Sequence, residues 1–271
     1  MEIEDIVLNH SDRGMDVLRK YMPLPYAKAA ARRILDWGQG TVFLATGFYV
    51  AGYAETDGPA GTVFLANALK LLGYKPVIVT DEFCRGFFEP DGIEVLYMPY
   101  EAGTEWCKVQ LKKYKPAGLI SIERCGKNSD GEYANMRGKS ISDKTAKVDM
   151  LFELAYGSIP TIGVGDGGNE IGMGNIADII SETLELKPCV VKVDELVIAT
   201  VSNWGAYAII AWLERLSGKK VFMSFEMVEA FIKRTVELGS VDGVLKEKQV
   251  SVDGFGMEVE KEIIENLRAT I

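Results

Sequence analysis

The chain has 271 residues, 48% of them hydrophobic and 25% charged, and a formal net charge of −9. Such a composition suits a soluble globular protein with one large α/β domain or two small ones. The acidic balance, with no basic cluster dense enough to follow a phosphate backbone, argues against nucleic acid. No apolar run nears the ~20 residues needed to span a bilayer, so no membrane segment is expected. Cys84, Cys107, Cys125 and Cys189 are far apart and form no C-x-x-C pair, which fits buried thiols better than zinc or a redox dithiol. The start, Met1 to Asp5, lacks a signal peptide's basic and apolar regions, and a cytoplasmic location is expected. His10 is the single histidine and falls in an amphipathic segment, which argues against histidine-dependent chemistry.

In chain order, residues 1–38 read as a polar-faced helical cap broken by Pro23 and Pro25, with no site of its own. Thr41 to Thr46 reads as a buried strand that opens into a glycine-rich stretch. Pro59 is placed as the first residue of a helix that Gly73 closes. The N–H groups from Gly58 to Thr62 would favour an anion there. Strands are expected over 76–80, 94–98, 117–122 and 195–201, with helices over 104–114, 142–156 and 206–216. The portion 218–271 adds two more helices, 225–238 and 257–267, around a short polar strand or turn at 248–253. Alternating strands and helices predict an α/β fold, a three-layer, mostly parallel sheet with helices on both faces, Rossmann-like. No Pro/Ser-rich linker interrupts the alternation, so 1–271 reads as a single domain.

The stretch Pro160 to Gly174 is the one around which the chain is organised. A β-branched run, Thr161 to Val164, leads into six glycines between Gly163 and Gly174, with Asp166, Asn169 and Glu170 among them. Helical spacing follows from 175 to 184. Glycine at this density is useful where backbone turns tightly or comes close to a ligand. Gly163 to Gly168 matches G-x-G-x-x-G, a dinucleotide fingerprint. Against that reading, Asp166 and Glu170 would repel a pyrophosphate, and the next strand ends without the acidic residue that binds a ribose. There is no G-x-x-x-x-G-K-[ST] either, so neither NAD nor ATP is expected. Two carboxylates and an amide on a tight turn suit a hard cation, Mg²⁺ or Mn²⁺, and equally a substrate ammonium. Glu123 and Arg124 follow a strand end, where charged side chains are well placed for chemistry but are also common as solvated loop ends.

Four motifs then stand in order: Thr56-Asp-Gly-Pro-Ala-Gly61, Glu123-Arg-Cys-Gly126 with Asp130 to Asn135, Gly163 to Gly174, and Val201-Ser-Asn-Trp-Gly-Ala-Tyr207. Together they resemble the cyclase domain of the D-glutamate cyclase family, over residues 41–217. The resemblance implies a lactam-forming hydro-lyase whose small-molecule substrate is an acidic D-amino acid, D-glutamate, closed to 5-oxo-D-proline. Both reacting groups lie on one molecule, so the task left to the site is electronic: polarise a carboxyl, take a proton from the amine, return one to the departing oxygen. A metal could polarise the carboxyl without ATP.

Glu123, Asp166 and Glu170 are the catalytic candidates, with Asp166 and Glu170 also the metal candidates. Asp57, Gly58, Gly61, Arg124, Asn135, Asn169, Asn203 and Trp204 are the substrate-binding candidates, Arg124 or the Gly58–Gly61 N–H groups for the α-carboxylate. A non-catalytic binder of a nucleotide or acidic amino acid, and an enzyme on another small amino or carboxylic acid, stay open beside the cyclase. So does the oligomeric state, a homo-oligomer included.

Overall fold

The computed structural model describes residues 2–184 and 186–271; Met1 of the acidic start and Glu185 lie outside the described residues. Six strands form one sheet: β1 (Thr41–Ala45), β2 (Lys75–Thr80), β3 (Glu94–Tyr97), β4 (Gly118–Ile122), β5 (Thr161–Gly165) and β6 (Glu195–Ile198). Their order is β3-β2-β1-β4-β5-β6, and every pairing is parallel. Parallel strands are covered on both faces, so they read as continuous apolar runs; β4 and β5 are buried along their whole length.

The helices are α1 (Ile3–Val7), α2 (Met15–Leu18), α3 (Tyr26–Asp36), α4 (Pro59–Leu72), α5 (Thr104–Tyr114), α6 (Asp149–Ala155), α7 (Ala177–Thr183), α8 (Ser202–Ser217), α9 (Phe225–Glu237) and α10 (Met257–Arg268). Helices α3, α4 and α8 pack on one another against one face of the sheet, while α5 and α6 pair on the other. The result is the expected three-layer Rossmann-like fold. Helix α4 leaves only Lys70 and Leu71 exposed, because sheet, α8 and α9 close round it. Truncating a core leucine there, such as Leu65→Ala, costs ~2–5 kcal/mol. Among the described residues no helix is long and apolar enough to cross a membrane.

Chain direction across the sheet reverses between β1 and β4. Loops after these two strands therefore part to opposite faces, leaving a crevice at the carboxyl ends, which is where open α/β sheets bind ligands.

Four boundaries differ from the sequence reading. The helix expected over 142–156 is a short 3₁₀ turn, Ser142–Lys144, then α6 from Asp149. The carbonyl of Ala146 is turned to the Arg124 guanidinium at 2.7 Å and so is not available to a helix. The helix over 175–184 opens instead as a 3₁₀ turn, Met173–Ile176. Strand β6 stops at Ile198, because the Thr200 N–H leaves the sheet to bond Val7 O at 2.9 Å. Helix α8 begins at Ser202 rather than Ala206, for a reason that lies in the site itself.

Candidate active site

A cleft of about 660 Å³ opens over the carboxyl ends of β4 and β5. Glu123 comes from the end of β4; Asp166, Asn169 and Glu170 come from the glycine loop after β5. Glu55 follows the hairpin Tyr49–Ala54, Asp253 stands in the turn of the hairpin Ser251–Gly256, and Arg13 reaches in from the segment before α2.

Asp57 lies beneath this floor and is the cap that starts α8. Its carboxylate accepts the N–H groups of Ser202 and Asn203, both at 2.8 Å, and that of Gly58 at 2.8 Å. Two free N–H groups at the positive end of a helix favour an anion, and here the chain supplies one from 145 residues away. Ser202 then ties three carboxylates together. Its N–H also reaches Asp166 Oδ2 at 3.2 Å, and its hydroxyl donates to Glu123 Oε2 at 2.6 Å. One oxygen from each of Asp57, Glu123 and Asp166 lies within 4.8 Å of the others, and all three side chains are buried. Arg13 donates to Asp166 Oδ2 at 3.0 Å and to Asp253.

Backbone strain gathers at the same place. Six non-glycine described residues have positive φ, and four of them line the cleft: Ala51 (49°), Glu123 (46°), Lys246 (60°) and Asp253 (53°). Such conformations cost on the order of 1–3 kcal/mol each and persist where the surroundings impose them. Gly58, at φ 91°, shows how tight the packing is, since a Cβ there would stand 2.7 Å from Glu123 Cβ.

The electrostatics follow from burial. Desolvation pushes the carboxyls of Glu55, Glu123 and Asp166 well above the ordinary range. The charge of Asp166, then of Glu170 and Asp57, adds to the shift at Glu123, while Arg13 pulls Asp166 back. Burial raises Asp57 to about 7, helped by the charge of Asp253. Asp253 is likewise raised to about 7 by burial, against the pull of Arg13. Burial also disfavours the Arg13 charge, but Asp166 and Asp253 more than offset this and hold it protonated. One guanidinium cannot neutralise so many anions, so the floor calls for protons or a further cation. Three clustered hard oxygen donors suit Mg²⁺ or Mn²⁺, and Asn169 Oδ1, buried in the same lining as Glu123 and Asp166, has no hydrogen-bond partner among the described residues. The residues fit a divalent ion.

The structure brings together Asp57, Glu123 and Asp166 among the expected residues. Glu170 lines the cleft but stands outside the group of three. Its two oxygens accept the N–H groups of Gly167 and Gly168, each at 2.8 Å, so a carboxylate of the loop's own takes the place a phosphate would need. Asn169 and Asn135 line the cleft; Asn169 Nδ2 donates to Ala134 O at 2.8 Å, and Asn135 Oδ1 accepts from Arg137 and Lys139.

Arg124 is buried behind the lining, paired with Asp81 at 2.7 Å and donating to the carbonyls of Gly47 and Ala146. The N–H groups of Gly58 and Gly61 are taken by Asn203 Oδ1, at 3.0 and 2.6 Å, and are not free for a substrate carboxylate. Trp204 is core, its Nε1 donating to Glu260 at 2.6 Å.

Missing from the sequence reading are Arg13, Glu55, Ser202 and Asp253. The cap over 1–38, expected to carry no site, supplies a half-buried cation that pairs with two carboxylates of the cleft. Sequence offered one hint, since Ser202 stands inside the fourth motif and Glu55 borders the first; Arg13 and Asp253 stand in none.

A family model described as D-glutamate cyclase-like, C-terminal, matches residues 3–268. Among curated proteins, the chain is 34% identical over 180 residues to the mitochondrial D-glutamate cyclase of Homo sapiens, an alignment covering 57% of this chain and 29% of that protein. It thus spans less than a third of the human protein's length. Among solved structures, a variant of actinorhodin polyketide ketoreductase with NADPH aligns over 85% of this chain and 89% of its own, at 11% identity and a TM-score of 0.33, too slight a likeness to carry an argument.

Proposed function

Because this chain belongs to the D-glutamate cyclase-like family, we propose that it closes D-glutamate on itself to 5-oxo-D-proline and water, as a hydro-lyase. The observation that carries the reading is the group of Asp57, Glu123 and Asp166, tied by Ser202 and buried beside Arg13 at the fold's switch point. Such a site suits a substrate that bears a cation and two carboxylates.

The reaction conserves protons. The ammonium loses two, the γ-carboxyl gives up one oxygen, and the two protons leave on that oxygen as water. Asp57, Glu123 and Asp166 would hold Mg²⁺ or Mn²⁺, which supplies Lewis-acid polarisation of a carboxyl without ATP. Arg13 takes the α-carboxylate, exchanging one of its two carboxylate partners for it. Asn169 Oδ1, which has no partner among the described residues, accepts an N–H of the substrate amine.

Glu55 and Asp253 face each other's charge in the floor, and their environments set them apart. Burial, then the charge of Asp253, pushes Glu55 well above the usual range, while Asp253 is raised to about 7. That is the arrangement of an acid and a base: Asp253 takes protons from the amine, and Glu55 delivers to the departing oxygen. Fixing the α-carboxylate, amine and γ-carboxyl at once selects one enantiomer, because a displacement of ~1 Å costs on the order of a hundredfold in rate.

Incubation of the purified chain with D- or L-glutamate, with and without Mn²⁺, followed by chiral chromatography, tests this. 5-Oxo-D-proline from the D-enantiomer is expected. No lactam above the spontaneous rate from either enantiomer would sink the cyclase reading.

A further inference from the structure

Glutamate is a small ligand, whereas a cleft of about 660 Å³ is of the size that buries drug-sized molecules. The lining also changes sign with depth. Glu55, Glu123 and Asp166 are buried at the floor, while Arg137, Lys139 and Lys246 are exposed at the mouth. The backbone fixes where these cations stand. Asn135 Oδ1 accepts the N–H groups of Arg137 and Lys139 at 3.0 and 3.1 Å, and Lys246 is held at φ 60° with its N–H on Asp242 O at 2.8 Å. The other charges of the mouth are accounted for: Lys144 pairs with Asp143 at 3.7 Å and Asp12 with Arg13 at 4.0 Å. Arg137, Lys139 and Lys246 have no carboxylate partner among the described residues. Three uncompensated cations round one opening run against the −9 charge of the whole chain and would draw an anion to it.

We infer that the cleft also accepts γ-D-glutamyl amides whose amine portion carries an anionic group, closing the glutamyl part to 5-oxo-D-proline and releasing that amine. The inference rests on the cyclase reading of the floor. With the α-carboxylate and amine held in the floor, whatever is attached to the γ-carbonyl extends towards the mouth, where the three cations stand. The step balances without a co-reactant. The α-nitrogen bonds to the γ-carbonyl carbon, the bond from that carbon to the leaving nitrogen breaks, and the two protons lost by the attacking ammonium end on the leaving nitrogen, which departs as an ammonium. No water is formed. A neutral amide carbonyl repels the incoming nucleophile less than a carboxylate does, and the same acid and base serve both reactions.

The test compares D-glutamate, γ-D-glutamyl-glycine and the uncharged γ-D-glutamyl methylamide, following free amine and chiral lactam together. Glycine and 5-oxo-D-proline are expected in equal amounts, with kcat/KM about tenfold higher for the glycine conjugate than for the methylamide, as a few exposed charge pairs would give. A triple variant, Arg137→Gln, Lys139→Gln and Lys246→Gln, is expected to erase that difference through KM and to leave D-glutamate turnover unchanged. Closure of D-glutamate without release of glycine from the conjugate would overturn this activity and leave the cyclase standing. Failure with all three compounds would remove both. Equal rates for the two amides in the parent chain would overturn the role of the mouth.

Discussion

Two of the places where this chain buries carboxylates are built on opposite terms. Glu260, on α10, is closed into the core. One oxygen accepts Trp204 Nε1 at 2.6 Å and the other the Tyr207 hydroxyl at 2.9 Å. The floor of the cleft instead crowds Glu55, Glu123, Asp166 and Asp253, with Asp57 beneath them, round one guanidinium, two of them on strained backbone. A buried polar group that has its partners stabilises a fold, whereas one that lacks them costs it. Glu260 therefore belongs to the architecture. The floor makes sense only with something added: protons, a cation, or the ammonium of a substrate.

Opposite behaviour on substitution is the sharpest way to break that contrast. Asp166→Asn and Glu123→Gln keep volume and remove a charge from a crowded group, so each should lower turnover on the order of 10³-fold and leave the melting temperature unchanged or higher. A stable protein with full activity in either variant would take that residue out of the mechanism. Glu260→Ala should do the reverse, leaving two buried donors unpaired at a cost of ~3 kcal/mol while turnover per folded molecule stays intact. Thermal denaturation beside a single-turnover assay separates the two. Arg13→Gln falls between them. It removes the one guanidinium that, among the described residues, pairs with Asp166 and Asp253, and with it the proposed anchor for the α-carboxylate, so KM should rise and stability should fall by ~2 kcal/mol, more at pH 8 than at pH 5. An unchanged KM would return the α-carboxylate to some other group.

The sheet was legible because parallel strands buried on both sides leave apolar runs that nothing else explains. Part of the candidate site was legible too: Asp57, Glu123 and Asp166 all stand in motifs, close to strand or helix ends. What stayed hidden depends on distance along the chain. Helix α8 was expected four residues late because its cap, Asp57, is remote in sequence. Arg13 lies in a polar segment with no periodicity and acquires meaning only when α1 and α2 bring it over β5. Arg124 misled in the other direction. A charged residue at a strand end looks available, yet here Asp81 and two carbonyls hold it inside the packing. Glu170 did likewise, since a carboxylate that faces its own loop's N–H groups has the same local sequence as one that faces a metal.

The smallest effect, and the one that separates the two acid sites most cleanly, is the response of stability to pH and cation. Asp57 and Asp253 are raised to about 7 in the folded chain, burial first among the causes, and carboxyls titrate near ~4 when unfolded. Between those values the folded state keeps protons that the unfolded state has lost. The stability this contributes is whole below the unfolded pKa and declines as pH rises through the folded one. Raising pH from 5 to 8 without divalent ions should therefore lower the melting temperature by several degrees. Glu260, also raised to about 7 by burial, contributes with the same sign. The two sites part when Mg²⁺ or Mn²⁺ is added. An ion held by Asp57, Glu123 and Asp166 replaces the floor's protons and stabilises the folded state as its concentration passes the dissociation constant. The loss at pH 8 should then shrink to the shares of Asp253, which is not among the three residues that hold the ion, and of Glu260, whose oxygens accept two core donors. Adding Glu260→Gln in the presence of cation should reduce the slope that remains. The same decline with and without either ion would mean that the floor binds no divalent cation, and would leave its carboxylates to handle protons and the substrate ammonium alone.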